Sequence, residues 1–348
     1  MLDYKCPSCG GALAFDSSLQ KIKCPYCDTQ FDVEDVTRMA EEDMESAPAE
    51  KVSAEDELSA YVCNSCGGEL VTDATTAATS CPYCGNPVVL AKNVTNALRP
   101  DCVIPFQLDK NAAVAALKKH MSGKPLLPKV FKDENHIRQI KGVYVPFWLY
   151  DASADAEAHF HATRVRTWAD SRYLYTKTSH YRVWRSGKIA FSGVPVDGSS
   201  KMADVLMESL EPYDISKAVE FESAYLAGYY ADRYDVSEAE CAGRADARMK
   251  ESTVQALADT VTGYTSVTTE SSSVALQDRS TRYALYPVWL LHTRYRNQDY
   301  LFAMNGQTGK LVGDLPMDKG AFWRWWLAVF AIAGIISGLI ALMIYLGE

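Results

Sequence analysis

Basic residues are in deficit: 35 Lys and Arg stand against 44 Asp and Glu, so the 348 residues carry a formal net charge of −9. That balance counts against a general nucleic-acid binder, although where the charge sits decides the partner. A phosphate loop is also missing. Between Gly306 and Lys310 the G-x-x-x-x-G-K-[ST] spacing fails and Leu311 stands where a magnesium-binding hydroxyl belongs, so the stretch reads as a turn. Histidines number six, and His159 and His161, which alternate along a strand, have no further ligand pattern; they read as surface or packing residues. Met1-Leu2-Asp3-Tyr4 opens no basic and then apolar leader, so a secreted, disulfide-framed protein is not expected. At 23% charged the chain is too polar for a polytopic membrane protein, and at 48% hydrophobic it is too apolar for a disordered one.

The negative charge is concentrated. From Glu34 to Val62 ten acids (Glu34, Asp35, Glu41, Glu42, Asp43, Glu45, Glu50, Glu55, Asp56, Glu57) face Arg38 and Lys51, a local balance of −8. With Ala, Ser and Pro between the charges and one weakly helical start at 33–44, residues 34–60 read as a solvated linker.

On either side of that linker the sequence repeats at an offset of 57 residues: Cys6-Pro7-Ser8-Cys9-Gly10-Gly11 returns as Cys63-Asn64-Ser65-Cys66-Gly67-Gly68, and Cys24-Pro25-Tyr26-Cys27 as Cys81-Pro82-Tyr83-Cys84. A CxxC turn presents two thiolates from one knuckle, and fourteen residues between the pairs suit a hairpin that returns the chain to the metal. Gly10, Gly67 and Gly85 follow three knuckles where positive φ is easiest, with Asp28 in the fourth position. Residues 1–33 and 61–92 therefore read as two four-cysteine ribbons, each closing on a structural zinc. A rubredoxin-like iron uses the same ligands. The redox chemistry of a Cys-Pro-Tyr-Cys motif needs a βαβ context that about thirty residues do not supply. Neither ribbon has a basic face, which favours protein docking over nucleic acid.

From Trp325 to Leu346 there are 22 residues without a charge, about 33 Å as a helix and enough to cross a hydrocarbon core. Phe322, Trp323, Trp325 and Trp326 gather at one edge and Tyr345 at the other. Lys319 and Arg324 precede the span and Glu348 follows it. Residues 322–346 thus read as a single C-terminal transmembrane anchor with the soluble domains cytoplasmic. Gly334 and Gly338 form a GxxxG pair, a route to a homo-oligomer.

Residues 93–318 read as an α+β domain with mostly antiparallel sheet. Helices open at Asp109 and Ser237, strands are expected at 143–150, 173–184, 189–194, 264–269, 283–295 and 300–304, and Asn305 to Gly309 forms a hairpin turn. Val145-Pro146-Phe147-Trp148-Leu149 echoes Tyr286-Pro287-Val288-Trp289-Leu290, which two related halves or shared strand composition would equally explain. Cys102 and Cys241 are isolated thiols, and no catalytic constellation emerges, so an enzyme is not expected. Seven bases (Arg164, Arg166, Arg172, Lys177, Arg182, Arg185, Lys188) lie against one acid, Asp170, interleaved with Trp168, Tyr173, Tyr175, Tyr181 and Trp184. This strip is a candidate contact for anionic lipid or nucleic acid, against the alternative of a solvated sheet face.

The twin cysteine pairs, Thr75-Thr76-Ala77-Ala78-Thr79, Gly142-Val143-Tyr144-Val145-Pro146-Phe147-Trp148 and Phe302-Ala303-Met304-Asn305-Gly306-Gln307-Thr308-Gly309-Lys310 together resemble the bacterial membrane-anchored TFIIB-type zinc-ribbon proteins over nearly the full chain. Asn64 stands where that family commonly has Pro. The resemblance implies an adaptor on the cytoplasmic face that recruits phage-shock-type, stomatin-like or virion-core-like proteins in envelope stress. A membrane-tethered nucleic-acid-binding or regulatory protein is the alternative.

Overall fold

The computed structural model describes residues 4–45, 58–62, 69–73, 75–80, 87–90 and 99–346. A small antiparallel sheet opens the chain: β1 (Ala14–Asp16), β2 (Lys21–Lys23) and β3 (Gln30–Phe31), followed by α1 (Val33–Glu45). The start of the acidic segment is therefore helical and docked. Val33, Val36 and Thr37 fall on one helix face and are buried, the two valines in the same core as Phe15 and Leu226.

Two short hairpins come next. β4 (Leu58–Val62) pairs with β5 (Glu69–Asp73), and β6 (Thr76–Ser80) with β7 (Pro87–Val89). Their register repeats that of the first cysteine-bearing segment at the same spacing of 57. Lys5 opposite Ala12 returns as Val62 opposite Glu69, and Lys23 opposite Gln30 returns as Ser80 opposite Pro87.

The body is built from β8 (Cys102–Val103), α2 (Lys110–Met121), α3 (Glu134–Ile137), β9 (Lys141–Ala169), β10 (Leu174–Asp197), α4 (Asp204–Ser209), β11 (Val219–Glu220), β12 (Tyr230–Asp232), α5 (Glu238–Asp259), β13 (Ser266–Tyr295), β14 (Gln298–Asn305) and β15 (Leu311–Val312). α6 (Lys319–Leu346) follows. Ten strands form one sheet in the order β11-β8-β13-β9-β12-β6-β7, with β10 on β9 and with β14 and then β15 on β13. The hairpin β6–β7 of the 61–92 module is thus part of the main sheet. The fold is α+β with mostly antiparallel pairing.

The echo around the two Pro and Trp residues is a local two-fold axis. Val145 pairs with Tyr286, and the pairing is symmetric about that point: Pro146 with Leu285 mirrors Pro287 with Tyr144, and Trp148 with Tyr283 mirrors Trp289 with Gly142. β8 lies parallel to β13 as β12 lies parallel to β9, and β11 and β6 complete the two flanks. Each indole N–H donates to the carbonyl just before a helix cap, Trp148 to Val236 at 3.0 Å and Trp289 to Leu108 at 3.1 Å. Gly198 N–H meets the Pro146 carbonyl at 2.9 Å and Gly306 N–H the Pro287 carbonyl at 2.8 Å. The segments β8-α2-β9-β10 and β12-α5-β13-β14 are two copies of one unit.

Strands expected as short pieces prove continuous. Residues 151–162 of β9 are rich in Ala, Asp and Glu, poor strand formers alone. Here Ala152, Ala156 and Ala158 are buried, and the small side chains let α5 settle against a three-stranded blade of β10, β9 and β13. Cys241 is buried in that interface as an ordinary thiol. Both helix starts fall where the sequence places them. Asp109 caps α2 at Ala112 N–H, and Ser237 forms a reciprocal capping box with Glu240. Ser237→Ala is expected to cost about 1 kcal/mol, read as a drop of about 2–4 °C in Tm.

Candidate metal centre

Two tight turns bring four sulfurs together. The first spans Cys6 to Cys9 between Lys5 and Ala12, and the second spans Cys24 to Cys27 between β2 and β3. In each turn an amide reaches back to the first cysteine's carbonyl, Gly10 to Cys6 at 2.8 Å and Asp28 to Cys24 at 3.0 Å. That closure needs a left-handed residue, which Gly10 (φ 72°) and Asp28 (φ 59°) supply. Gly11 has no room for a side chain, because a Cβ there would lie 2.4 Å from the Tyr26 ring.

Sγ atoms of Cys6, Cys9, Cys24 and Cys27 all lie within 4.8 Å of one another. Cys6 is 3.6 Å from Cys27 and Cys9 is 3.5 Å from Cys24. A tetrahedral ion with bonds to sulfur of about 2.3 Å sets sulfur–sulfur edges near 3.8 Å, so the group can hold a metal ion with little adjustment. The Thr29 hydroxyl, 3.1 Å from Cys27 Sγ, and the Thr29 N–H pull that thiol down, while the neighbouring sulfurs push Cys9 up, as four thiols crowded together without a cation must. All four positions are sulfur, so no site is open to water and the chemistry on offer is structural.

The cluster is built into the body. Cys6, Cys24, Leu13, Phe15 and Ile22 share a core with Phe106 and Tyr144. Phe15 N–H donates to the Ala227 carbonyl at 3.0 Å, Tyr4 hydroxyl to Ser223 at 2.7 Å and Gln20 amide to the Phe106 carbonyl at 2.8 Å.

Cys63, Cys66, Cys81 and Cys84 lie outside the described residues, as do Gly67 and Gly85. Of the basic strip, Arg182 pairs with Glu270 at 3.4 Å, Lys188 with Asp155 at 3.4 Å, and Arg185 donates to the Thr260 hydroxyl at 3.1 Å. Arg164 packs over the rings of Tyr181 and Tyr264. Arg166, Arg172 and Lys177 remain at the exposed end of the β9–β10 hairpin. His159 Nε2 lies 3.4 Å from the Glu157 carboxylate, and His161 stacks on His180, with Nε2 and Nδ1 3.0 Å apart. That pairing was hidden because the register of β10 on β9 is long-range information.

Beyond its first turn, where Ala321 is buried and Phe322 half-buried, α6 stands clear of the body. Residues Lys319–Ile340 have mean hydropathy 1.6, and the helix is long and apolar enough to cross a membrane. Its first turn is fixed by Asp318, whose N–H donates to the Leu126 carbonyl at 2.8 Å and whose carboxylate accepts from Gly320 N–H at 2.8 Å.

These features define a duplicated α+β protein with a four-cysteine group on its flank and an apolar helix of membrane-spanning length. The chain belongs to the same family as the uncharacterized protein YdjG of Bacillus subtilis (strain 168), to which it is 34% identical over 346 residues, 99% of this chain and 98% of that protein. No protein-family model matches the chain, and no solved structure does.

Proposed function

We propose that the protein is a membrane-anchored zinc-ribbon adaptor, whose two ribbons hold one structural zinc each and recruit cytoplasmic partner proteins to the membrane. The observation that carries this reading is the closed, all-sulfur group of Cys6, Cys9, Cys24 and Cys27, which offers a rigid surface and no reactive position. Support for a second zinc, on Cys63, Cys66, Cys81 and Cys84, is the repeated strand register on both sides of each cysteine pair. Lys319 and Arg324 ahead of the apolar helix favour a cytoplasmic body. The resemblance to the TFIIB-type zinc-ribbon family supplies the partner classes, phage-shock-type, stomatin-like or virion-core-like proteins of envelope stress.

Elemental analysis of the purified full chain is expected to give two zinc per molecule, with iron absent; one zinc or none overturns the double-ribbon assignment. Proximity labelling in cells tests recruitment. Cys63→Ser with Cys66→Ser is expected to lose a subset of labelled partners while the anchor keeps the protein in the membrane. An unchanged partner set would break the link between ribbon and recruitment.

A further inference from the structure

We propose that the end of the β9–β10 hairpin, residues 164–178, is a second membrane-contact site that seats itself in the headgroup layer of an anionic lipid bilayer. The proposal is independent of the ribbons and of the adaptor reading.

As far as Thr163, opposite Ser266, β9 is flanked by β13 as well as β10. Arg164 and Val165 still bond the residues just before β13, Arg164 donating to the Gly263 carbonyl and Val165 N–H to the Thr265 hydroxyl at 2.9 Å. Beyond them β9 and β10 continue alone, with Arg166 opposite Lys177, Thr167 opposite Thr176, Trp168 opposite Tyr175 and Ala169 opposite Leu174. A two-stranded ribbon by itself is marginal in water and gains from a surface to rest on. The matching hairpin of the other unit stops at Arg296 and Asn297, so this extension belongs to one copy only.

Its chemistry is that of an interface. Trp168 is 51% exposed and Leu174 73%, with Val165, Tyr173 and Tyr175 also exposed. Arg166 and Lys177 sit directly across from each other, one alternation behind Trp168 and Tyr175. Like charges so placed repel unless an anion lies between or beyond them. The nearest acid in sequence, Asp170, is committed to the turn. It accepts from the N–H groups of Arg172 at 2.8 Å and Tyr173 at 2.7 Å and from the Tyr175 hydroxyl at 2.9 Å. Aromatic and aliphatic groups at the extremity with bases just behind them match the acyl boundary and the phosphate layer of a bilayer. Single-stranded nucleic acid would use the bases and rings but has no use for Leu174 and Val165.

The site is distinct from α6. That helix leaves beside the Tyr295 end of β13, where Arg296 lies 3.9 Å from Asp318, whereas the hairpin tip extends past the Ser266 end of the same strand. β9 from Lys141 to Ala169 is about 90 Å of extended chain, most of it flanked by β13. Only the tip projects past the sheet, and it contacts either the anchor's own bilayer or a facing one.

The test uses the full chain held in nanodiscs of neutral lipid and offered vesicles with or without phosphatidylglycerol, scored by co-flotation. Anionic vesicles are expected to capture the protein, and Arg166→Glu with Lys177→Glu, or separately Trp168→Ser with Leu174→Ser, to lower capture roughly tenfold or more. A photoreactive phosphatidylglycerol placed either in the nanodisc or in the vesicles is expected to leave adducts within 164–178, and the arm that does so identifies the bilayer touched. Adducts in neither arm, equal capture by neutral vesicles, or retention of single-stranded DNA that anionic vesicles do not displace would each overturn the proposal. Unchanged circular dichroism of both variants keeps a negative result from being one of misfolding.

Discussion

Cys24→Ala is expected to remove one metal equivalent per chain and to unfold residues 4–45 while the blade of β9, β10, β13 and α5 keeps its structure. Cys24 is fully buried, and the sheet around it has only three strands of two or three residues, too little apolar surface to hold itself. In ribbons of this size metal binding is folding free energy, of the order of 10–16 kcal/mol for structural zinc, and three thiolates retain only part of it. The loss spreads because Leu13, Phe15 and Ile22 share a core with Leu226 and Phe106. It stops short of the blade because α5 rests on separate clusters, Tyr150 with Met249 and Phe160 with Leu257. Hydrogen exchange with mass spectrometry checks both halves of this. Protection should vanish across 4–45 and weaken near 224–229, yet persist across α5; chelation of the wild type should reproduce the pattern. Full protection of the ribbon with metal absent would mean that packing alone holds it.

The cysteine spacing, the apolar span, both helix caps and the mixed α+β character were legible because each rests on neighbours within a few turns of chain. What stayed hidden required partners far away. The alanines between Asp151 and Phe160 look unfit for a strand until α5 is seen to need their smallness. His161 finds His180 only through the hairpin register. Val36, embedded in a run of acids, looks like part of a solvated spacer until the core beneath it is placed. The basic strip was visible as composition, but the ion pairs of Arg182 and Lys188, the Arg185 bond to Thr260 and the packing of Arg164 on two tyrosine rings narrow it to the three bases at the tip. The half-visible duplication of the Pro and Trp segments became an axis once Val145 was found opposite Tyr286.

That axis makes a buried ion pair testable in a way a lone one would not be. Val288 pairs with Asn305 as Phe147 pairs with Asp197, so Asn305 and Asp197 occupy equivalent places, and both are buried. Asn305 is neutral and donates to the carbonyls of Leu210 at 3.0 Å and Pro212 at 3.2 Å. Asp197 instead receives Arg244 from α5 at 2.7 Å, while its second oxygen has no hydrogen-bond partner among the described residues. Burial pushes the Asp197 carboxyl up, and Arg244 pulls it part of the way back. Arg244→Ala therefore leaves a buried carboxylate and is expected to cost about 3 kcal/mol at neutral pH, the low end for a broken buried pair because Arg244 is partly exposed. This corresponds to a fall of about 6–12 °C in Tm. A carboxyl whose folded pKa lies above its unfolded value favours the folded state in its protonated form. The variant's deficit should thus be small below about pH 4, near the unfolded pKa, and grow as pH rises through the raised folded value. Asp197→Asn, which copies the other half of the molecule, should be mild alone and should restore most of the stability when combined with Arg244→Ala. Thermal unfolding of the four proteins at acidic and neutral pH measures this. A deficit that ignores pH, or that Asn at 197 does not relieve, would place the role of Arg244 in its contacts with Asp204 and Glu208 instead.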